Sequence, residues 1–417
     1  MNRVVIIGGG AAGCFCAAEL ARLRPDLRVS VFEADARPMM KLAVTGGGRC
    51  NITNSFERVS SLAEVYPRGD KLMKRLLHSF GPADCLRWFE EHGVRFVTQP
   101  DGCVFPASQD AMQIVHTLER AMCDAGVQLF CGRKVTAVDK DLTVHYTDAS
   151  DHRPADSALP NASVIPGQTG HLTRPDAVIV TTGGATAAKL LAGTGIELIP
   201  DVPSLFTLKI ADSGLRSLMG TVVENVTLGL AGARFRSHGT LLLTDWGVSG
   251  PATLRLSSYA ARWLAENQYH GSLLVNWMDS AEAPVRERLS AMSEGLRTVS
   301  NSHPSELSDR LWKMLVERAG IRADARWSEL GSKGIARLVN ILTADTYEIT
   351  GRARFKEEFV TCGGVSLAEV RPDTLESRGI PGLFFAGEVL DIDAVTGGFN
   401  LQAAWSTAWT VAHAINV

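Results

Sequence analysis

Long hydrophobic runs are missing from this chain of 417 residues. No apolar stretch approaches the roughly 20 residues that a membrane-crossing helix requires. At its start Arg3 precedes only Val4-Val5-Ile6-Ile7 before glycines begin. That run has the length of a β-strand and is too short for the apolar region of a signal peptide, so the expected location is cytoplasmic. Charge of one sign is also scarce: 42 basic and 45 acidic residues leave a net charge of −3. Nothing in that balance argues for nucleic acid, although a local basic patch remains compatible with it. The eight cysteines form no C-x-x-C pair, and no Cys/His spacing resembles a zinc site. No metal is therefore expected, and reduced thiols are the default. Hydrophobic content of 45% with 21% charged residues suits a globular protein of two or three domains.

What is present is glycine in particular places. Val4–Ile7 runs into Gly8-Gly9-Gly10-Ala11-Ala12-Gly13, then a helix of small residues from Cys14, then the strand Arg28-Val29-Ser30-Val31-Phe32 ending at Glu33. Gly8, Gly10 and Gly13 keep the G-x-G-x-x-G spacing of a strand–turn–helix that binds a dinucleotide pyrophosphate at the helix start. Glu33, twenty residues beyond Gly13, is placed to accept hydrogen bonds from a ribose 2′-OH and would repel a 2′-phosphate. The site suits FAD or NAD rather than NADP. A second glycine-rich loop follows, Thr45-Gly46-Gly47-Gly48-Arg49-Cys50-Asn51. It offers backbone N–H groups, with Lys41 and Arg49 as cations, and suits a cofactor longer than one mononucleotide. A redox pair spaced C-x4-C is excluded here, because Ser55 stands where the second cysteine would be.

Further on, the apolar spacing of Leu72, Met73, Leu76 and Leu77 predicts a helix over 68–80 that carries Lys71, Lys74, Arg75 and His78 on its other face. That face is either a solvated surface or a phosphate-binding stripe for RNA. Helices are expected at 83–92 and 110–124, with Asp101–Pro106 as a turn between them. Residues 127–150 alternate like strands, and Ala177-Val178-Ile179-Val180 reads as a buried strand running to Gly183-Gly184. From about 194 the character changes. Period-2 patterning predicts short strands at Leu205–Ile210, Val222–Leu230, Ala233–Arg236 and Thr240–Thr244, a small antiparallel sheet or barrel. Residues 251–345 read as mostly helical, with one strand at Leu273–Trp277 and helices at Pro304–Arg318 and Gly334–Leu342. No second G-x-G-x-x-G follows a strand there, so a separate nicotinamide-binding domain is unsupported.

Near the C-terminus the strand Leu383–Ala386 runs into Gly387-Glu388, and Gly397-Gly398 precedes Asn400-Leu401-Gln402 and a last helix. A carboxylate at that strand end can take hydrogen bonds from ribityl hydroxyls. A helix start near a flavin ring favours negative charge on the ring. The economical reading is an α/β fold: a split Rossmann-like FAD-binding domain at 1–193 and 346–417, interrupted by a β domain at 194–255 and a helical domain at 256–345.

These residues resemble a known family. Gly8–Gly13, the run TGGGRCNITN at 45–54, Trp246-Gly247-Val248-Ser249-Gly250-Pro251, Gly363-Gly364-Val365, and Ala386–Asp393 with Thr396–Gln402 are similar to the BaiN/RdsA (YhiN-type) flavoproteins. The resemblance spans nearly the whole chain. It implies non-covalent FAD held by Gly8, Gly10, Ala12, Gly13, Glu33, Lys41, Gly47, Gly48, Arg49, Cys50, Asn51, Val135, Thr182, Gly183, Gly387, Glu388, Asp393, Gly397, Gly398, Asn400 and Leu401. Members include a reductase of unsaturated bile-acid ketones, a ribosomal-RNA dihydrouridine synthase and aminoacetone oxidases. Two positions depart from the family: Cys103, where Arg is common, and Asp245, where His is common.

The expected function is an FAD-dependent oxidoreductase, with NAD(P)H as transient reductant, that reduces a C=C bond conjugated to a carbonyl. The same chemistry on ribosomal RNA is the first alternative, for which the 71–78 stripe and Arg352, Arg354 and Lys356 speak. An oxygen-using amine oxidase is the second. The residues chemically able to donate the proton are Asp245, Tyr347, His238 and Cys103.

Overall fold

The computed structural model describes residues 2–148, 169–172, 175–292, 297–353 and 360–416. Arg354 and Lys356 lie outside them, as does most of the polar stretch between 148 and 174. The chain divides into two compact units, residues 1–201 with 361–417, and residues 202–360.

The first unit is built on a five-stranded parallel sheet in the order Leu383–Phe385, Ala177–Val180, Arg3–Ile7, Arg28–Phe32, Gln128–Phe130. The central strands are continuous apolar runs because both faces of the sheet are covered; Val4, Val5, Ile6 and Ile7 are all buried. Register decides the location of the site. Ile7 stands opposite both Val180 and Phe32, and Val180 stands opposite Phe385. Four strands therefore end abreast, and the residues that follow them, Gly8, Glu33, Thr181 and Ala386, meet at the carboxyl edge of the sheet. Strand Arg3–Ile7 is followed by Arg28–Phe32 on one side, while its other neighbour Ala177–Val180 is followed in this sheet by Leu383–Phe385 on the opposite side, and this reversal of strand order makes the edge the expected place for a ligand. Helix Ala11–Leu23 packs against helix Phe399–Ala414. Ala12, Gly13, Ala17, Ala18 and Ala21 keep the first of these helices slim where it is buried.

Two local expectations for this unit change. Asp101–Pro106 is not a plain turn: Cys103–Pro106 is a strand between Thr53–Asn54 and Phe96–Thr98. Residues 40–48 contain a helix, Met40–Gly48, which breaks where Thr45 turns extended (ψ 140°) and Gly46 and Gly47 adopt positive φ. The basic stripe lies on helix Asp70–Ser79, with Leu72, Met73 and Leu76 buried beneath it.

The second unit contains a closed barrel in the order Leu208–Ile210, Gly247–Ser249, Arg236–Thr244, Val222–Leu230, Gly271–Asn276, Asp345–Arg352. Of the expected strands Ala233–Arg236 and Thr240–Thr244, the first lies mostly in a turn, at Ala233–Phe235, and the second is the end of a longer strand, Arg236–Thr244. Ser237, Leu241 and Leu243 point inward along it, but Gly239 has no side chain and hides the alternation. The expected helix from Pro304 begins later, at Asp309, where Ser308 caps it by accepting from the Leu311 N–H. Helices Pro251–Tyr259, Ala261–Glu266, Glu282–Met292, Asp309–Arg318 and Gly331–Ala344 share one hydrophobic cluster with the barrel. The division drawn from sequence at 255/256 runs through that cluster. Among the described residues, no helix is long and apolar enough to cross a membrane.

Candidate functional site

The site lies in the first unit and starts from the Gly8–Gly13 turn. Gly8 adopts φ +106°, and a Cβ there would sit 2.8 Å from the Thr181 carbonyl oxygen. Gly13 is tighter, since its Cβ would fall 2.0 Å from the Gly8 carbonyl oxygen. Gly10 is the opposite case: a Cβ would meet nothing within 4 Å, and no side chain caps the helix that begins after it. An uncapped helix start facing open space is what a pyrophosphate needs. Thr181 ties the turn to the neighbouring strand by donating to the Gly8 carbonyl at 2.8 Å. Cys14, buried behind the turn, donates to the Gly9 carbonyl at 3.3 Å, and burial pushes its thiol well above the ordinary range.

Glu33 accepts from the Gly9 N–H at 2.6 Å and the Asp35 N–H at 2.8 Å, one on each carboxylate oxygen. Burial raises this carboxyl, and the N–H donors from Asp35 and Gly9 oppose the shift. Each oxygen retains acceptor capacity for a ribose hydroxyl. The backbone N–H of Arg133 donates to the Glu33 carbonyl at 2.8 Å, and the Arg133 guanidinium lies against Phe32, Phe130 and Tyr146. Val135 is two residues farther on, half-buried and opposite Tyr146.

The second glycine loop joins the first through the Met39 N–H, which donates to the Gly9 carbonyl at 2.8 Å. Gly47 and Gly48 have nothing within 4 Å of a Cβ position. Arg49 is exposed, and its guanidinium stacks 4.6 Å from the Phe105 ring centre. Cys50 is fully buried at φ +58°, and desolvation pushes it up to about 12. It is therefore a packing thiol at neutral pH. Asn51 Oδ1 is buried with no hydrogen-bond partner among the described residues. Cys103, on the strand opposite Asn54, is half-buried, and burial carries its thiol up to about 11 although Asn51 is hydrogen-bonded to it.

The C-terminal segment closes on these loops. Asn54 donates to the Gly397 carbonyl at 3.0 Å. Thr53 donates to Gln402 Oε1 at 2.5 Å, and Trp405 donates to the Ile52 carbonyl at 3.0 Å. Gly398 passes so close that a Cβ would lie 2.3 Å from the Thr53 carbonyl oxygen. Asn400 both donates to and accepts from the Ala394 backbone at 2.9 Å, which pins the turn. Leu401 is half-buried in the first turn of the last helix. Glu388 accepts from the Thr361 N–H at 2.6 Å. Burial raises its carboxyl, and the charge of Lys41 and the bonds from Thr361 pull against that. Gly183 faces Glu388, a Cβ there being 3.6 Å from Oε2. Thr182 is half-buried beside it, and Gly387 lies against Ala12. Asp393 is buried and held by Arg68, whose Nε donates at 2.5 Å.

Two ends of the chain are thus gathered at one sheet edge. Arg68 and Thr361 belong to that arrangement and were not singled out from the sequence, because their partners lie far away along the chain and no local pattern marks them. Thr53 and Gln402 sit in the glycine-rich motifs already quoted, but their pairing across 349 residues was not visible there. The other proton-donor candidates belong to the second unit. Asp245 is exposed in the turn before Gly247. His238 pairs with Asp279 at 3.0 Å. Tyr347 is buried and donates to Asp345 at 2.5 Å.

The chain matches the family model described as the HI0933-like protein Rossmann domain over residues 2–414. It is 28% identical to a 3-dehydro-bile acid delta(4,6)-reductase of Clostridium scindens, covering 99% of both chains. It is 31% identical to a ribosomal RNA dihydrouridine synthase of Escherichia coli, over 98% of this chain and 96% of that one. A ribosomal RNA dihydrouridine synthase of Haemophilus influenzae is 29% identical, over 99% of this chain and 98% of the other.

Proposed function

Because this chain belongs to the HI0933-like Rossmann family, we propose that it works as an FAD-dependent oxidoreductase reducing a C=C bond conjugated to a carbonyl. The observation that carries the reading is the meeting of Gly8–Gly13, Gly46–Gly48, Gly183, Glu388 and Gly397–Gly398 at one sheet edge. The residues fit FAD. The open, uncapped start of helix Ala11–Leu23 takes the pyrophosphate, and Glu33 takes the adenosine ribose. Glu388 takes ribityl hydroxyls, while Asn51 Oδ1 has an acceptor to offer. Helix Phe399–Ala414 starts at Gly398 without a side-chain cap, so its positive end is available to negative charge on the ring. Bound there, FAD would supply hydride-transfer chemistry between NAD(P)H, which would reduce it, and the substrate, which would reoxidise it.

The substrate gains a hydride at the carbon β to its carbonyl and a proton at the α carbon. Both kinds of relative support this class. A dehydro-bile acid with unsaturation and the uracil ring each present a C=C conjugated to C=O. Cys103 is the proton-donor candidate that lies with the cofactor loops, and at about 11 it stays protonated at neutral pH. The exposed Lys71, Lys74, Arg75 and His78 favour RNA as a second reading of the substrate.

Anaerobic mixing of the flavin-loaded protein with NADH or NADPH tests the reading. The flavin absorbance should bleach and return on adding a conjugated enone. Failure to bleach with both nucleotides removes NAD(P)H as reductant, and failure to return with any enone removes the substrate class. Mass spectrometry of ribosomal RNA from a deletion strain separates the two substrates, because only the RNA reading requires lost dihydrouridine.

A further inference from the structure

Two tryptophans on different helices of the first unit stand at the ends of one aromatic stack. Trp405, on helix Phe399–Ala414, is fully buried and donates its indole N–H to the carbonyl of Ile52, the residue between Asn51 and Thr53. It therefore lies directly behind the backbone that closes the dinucleotide site. Trp88, on helix Pro82–Glu91, is 7% exposed and stacks on the half-buried His92 at 4.0 Å between ring centres. Two rings bridge the tryptophans. Phe15 lies 5.5 Å from Trp405 and 4.7 Å from Trp88. Phe89 lies 5.5 Å and 4.8 Å from the same two. Electron tunnelling falls off steeply with distance, so neighbouring π systems shorten each step and favour this line.

The outer end carries a feature that apolar packing does not require. Glu19 is 1% exposed and accepts from Trp88 Nε1 at 3.0 Å. Burying a carboxylate is costly, and an apolar side chain of similar size would close the core without it. Burial acts to raise the Glu19 carboxyl, but hydrogen bonds from Arg22 and Trp88 bring it below the ordinary value, so it is ionised at neutral pH. The Arg22 side chain is 57% exposed and that of Glu19 only 2%. Water screens the cation, whereas the anion acts on the ring through a medium of low dielectric. An anion held on an indole N–H stabilises the ring once an electron has left it, and accepts the proton that the oxidised ring releases. Trp409 is the contrast. It connects to Phe15 through Phe80 in two steps of 5.6 Å, yet among the described residues no carboxylate accepts from its indole.

We propose that Trp405, Phe15, Phe89 and Trp88 form a route that leads oxidising equivalents out of the cofactor site and ends at Trp88. The oxidant is the photoexcited oxidised flavin. It gains one electron from Trp405, and Trp405 recovers one from Trp88. Trp88 gives its indole proton to Glu19 as its electron leaves. A soluble thiol then returns one electron to Trp88 at its exposed edge, releasing its own proton to water and becoming a thiyl radical, and Glu19 gives the indole proton back. The net change is one electron moved from thiol to flavin, with no oxidised side chain left beside the ring. The route rests on FAD being bound and on nothing about the substrate.

Laser excitation of the flavin-loaded protein, read by transient absorption in the flavin and tryptophanyl bands, tests this. The parent should show a deprotonated tryptophanyl radical that outlives the pulse and that dithiothreitol quenches. Trp88→Phe should lose that long-lived signal, and Trp409→Phe should keep it. Glu19→Gln retains an acceptor for the indole but no charge, so its radical should stay protonated and decay faster. Packing alone would not move the protonation state of the radical. Flavin absorbance per chain, measured first, shows that each variant is folded, and if Trp88→Phe fails to hold flavin, Glu19→Gln decides. The proposal is overturned if the flavin-loaded parent gives no tryptophanyl radical, if Trp88→Phe keeps the parent's signal, or if Trp409→Phe removes it. It is also overturned if the Glu19→Gln radical is deprotonated like the parent's. A parent chain that takes up no FAD at all removes the cofactor reading itself, and this route with it.

Discussion

Tyr347 gives its hydroxyl hydrogen to Asp345 Oδ2 at 2.5 Å inside the core of the second unit. The same oxygen accepts from Trp277 Nε1 at 3.1 Å. The other oxygen accepts from Arg318 at 2.8 and 3.2 Å, and Arg318 also reaches Asp212 at 2.7 Å. Asp345 is therefore a buried carboxylate with its acceptor capacity engaged, which is how such a charge is tolerated. Removing it leaves Arg318 partly desolvated and one partner short. Asp345→Ala should cost about 3–5 kcal/mol in urea denaturation. Tyr347→Phe removes one donor of several and should cost about 1–2 kcal/mol. Its rate of enone reduction per bound flavin should be unchanged. A large loss of turnover at an unchanged urea midpoint would return Tyr347 to the catalytic candidates.

Gly10 and Gly13 differ in what surrounds them, and the difference separates folding from cofactor binding. Gly10 has φ −79° and nothing within 4 Å of a Cβ. Gly10→Ala should keep stability within about 0.5 kcal/mol, as surface changes do, while its methyl occupies the space a pyrophosphate needs. FAD affinity should fall at least about tenfold by fluorescence titration. Gly13→Ala places its methyl 2.0 Å from the Gly8 carbonyl oxygen and 2.6 Å from Thr181 Oγ1. The helix must move off the strand, at a cost of about 1–3 kcal/mol or more. It should lose both stability and flavin.

The same contrast explains what could be read from the sequence. The strand–glycine–helix–strand–acid run at Val4–Glu33 is local, and each part supports the next, so the sheet edge was legible. The barrel was legible at Val222–Leu230 and Leu208–Ile210, but it was missed at Gly239, where a side chain is missing, and at Asp345–Arg352, which alternates yet finds its partners Leu208–Ile210 and Gly271–Val275 far back along the chain. Cys103–Pro106 was not legible as a strand, because its partners Thr53 and Phe96–Thr98 are set by tertiary pairing. Asp393 entered only through the family resemblance, and Arg68, which holds it, is 325 residues away. Tyr347 stood out for its chemistry, and only the folded core supplies Asp345 as its partner.

Arg288 and Glu306 should make stability depend on acid pH. Their bidentate bonds measure 2.6 and 2.9 Å. The Arg288 guanidinium hydrogen-bonded to it holds the Glu306 carboxyl down from the ordinary 4.5 to about 2. Between those values the unfolded chain binds the proton and the folded one does not. The pair's contribution is thus fully present above pH 4.5 and disappears as pH falls toward 2. Both side chains are exposed, 42% and 49%, so solvent screening keeps the contribution below about 1 kcal/mol. Arg288→Gln should flatten the urea midpoint across that window and leave it unchanged at neutral pH, apart from the same small offset. A parent profile already flat from pH 4.5 to 2 would show that the pair adds nothing.

Lys71, Lys74, Arg75 and His78 project from one side of helix Asp70–Ser79 while Leu72, Met73 and Leu76 anchor the other. Charge changes on the exposed side should therefore leave the fold alone, which makes the stripe a clean test of the RNA reading. Phosphate contacts release counterions, so each lost contact lowers the salt dependence of RNA binding by about one unit in a log–log plot. Lys71→Glu, Lys74→Glu and Arg75→Glu together should reduce that slope by about three, and slow dihydrouridine formation on ribosomal RNA in proportion. Reduction of a small enone by the same triple variant should be unaffected, because the substitutions touch no residue of the cofactor loops. If RNA binding keeps its slope, the stripe is ordinary solvated surface. If enone reduction falls with RNA reduction, the stripe acts on the cofactor unit instead, and the argument from phosphate recognition fails.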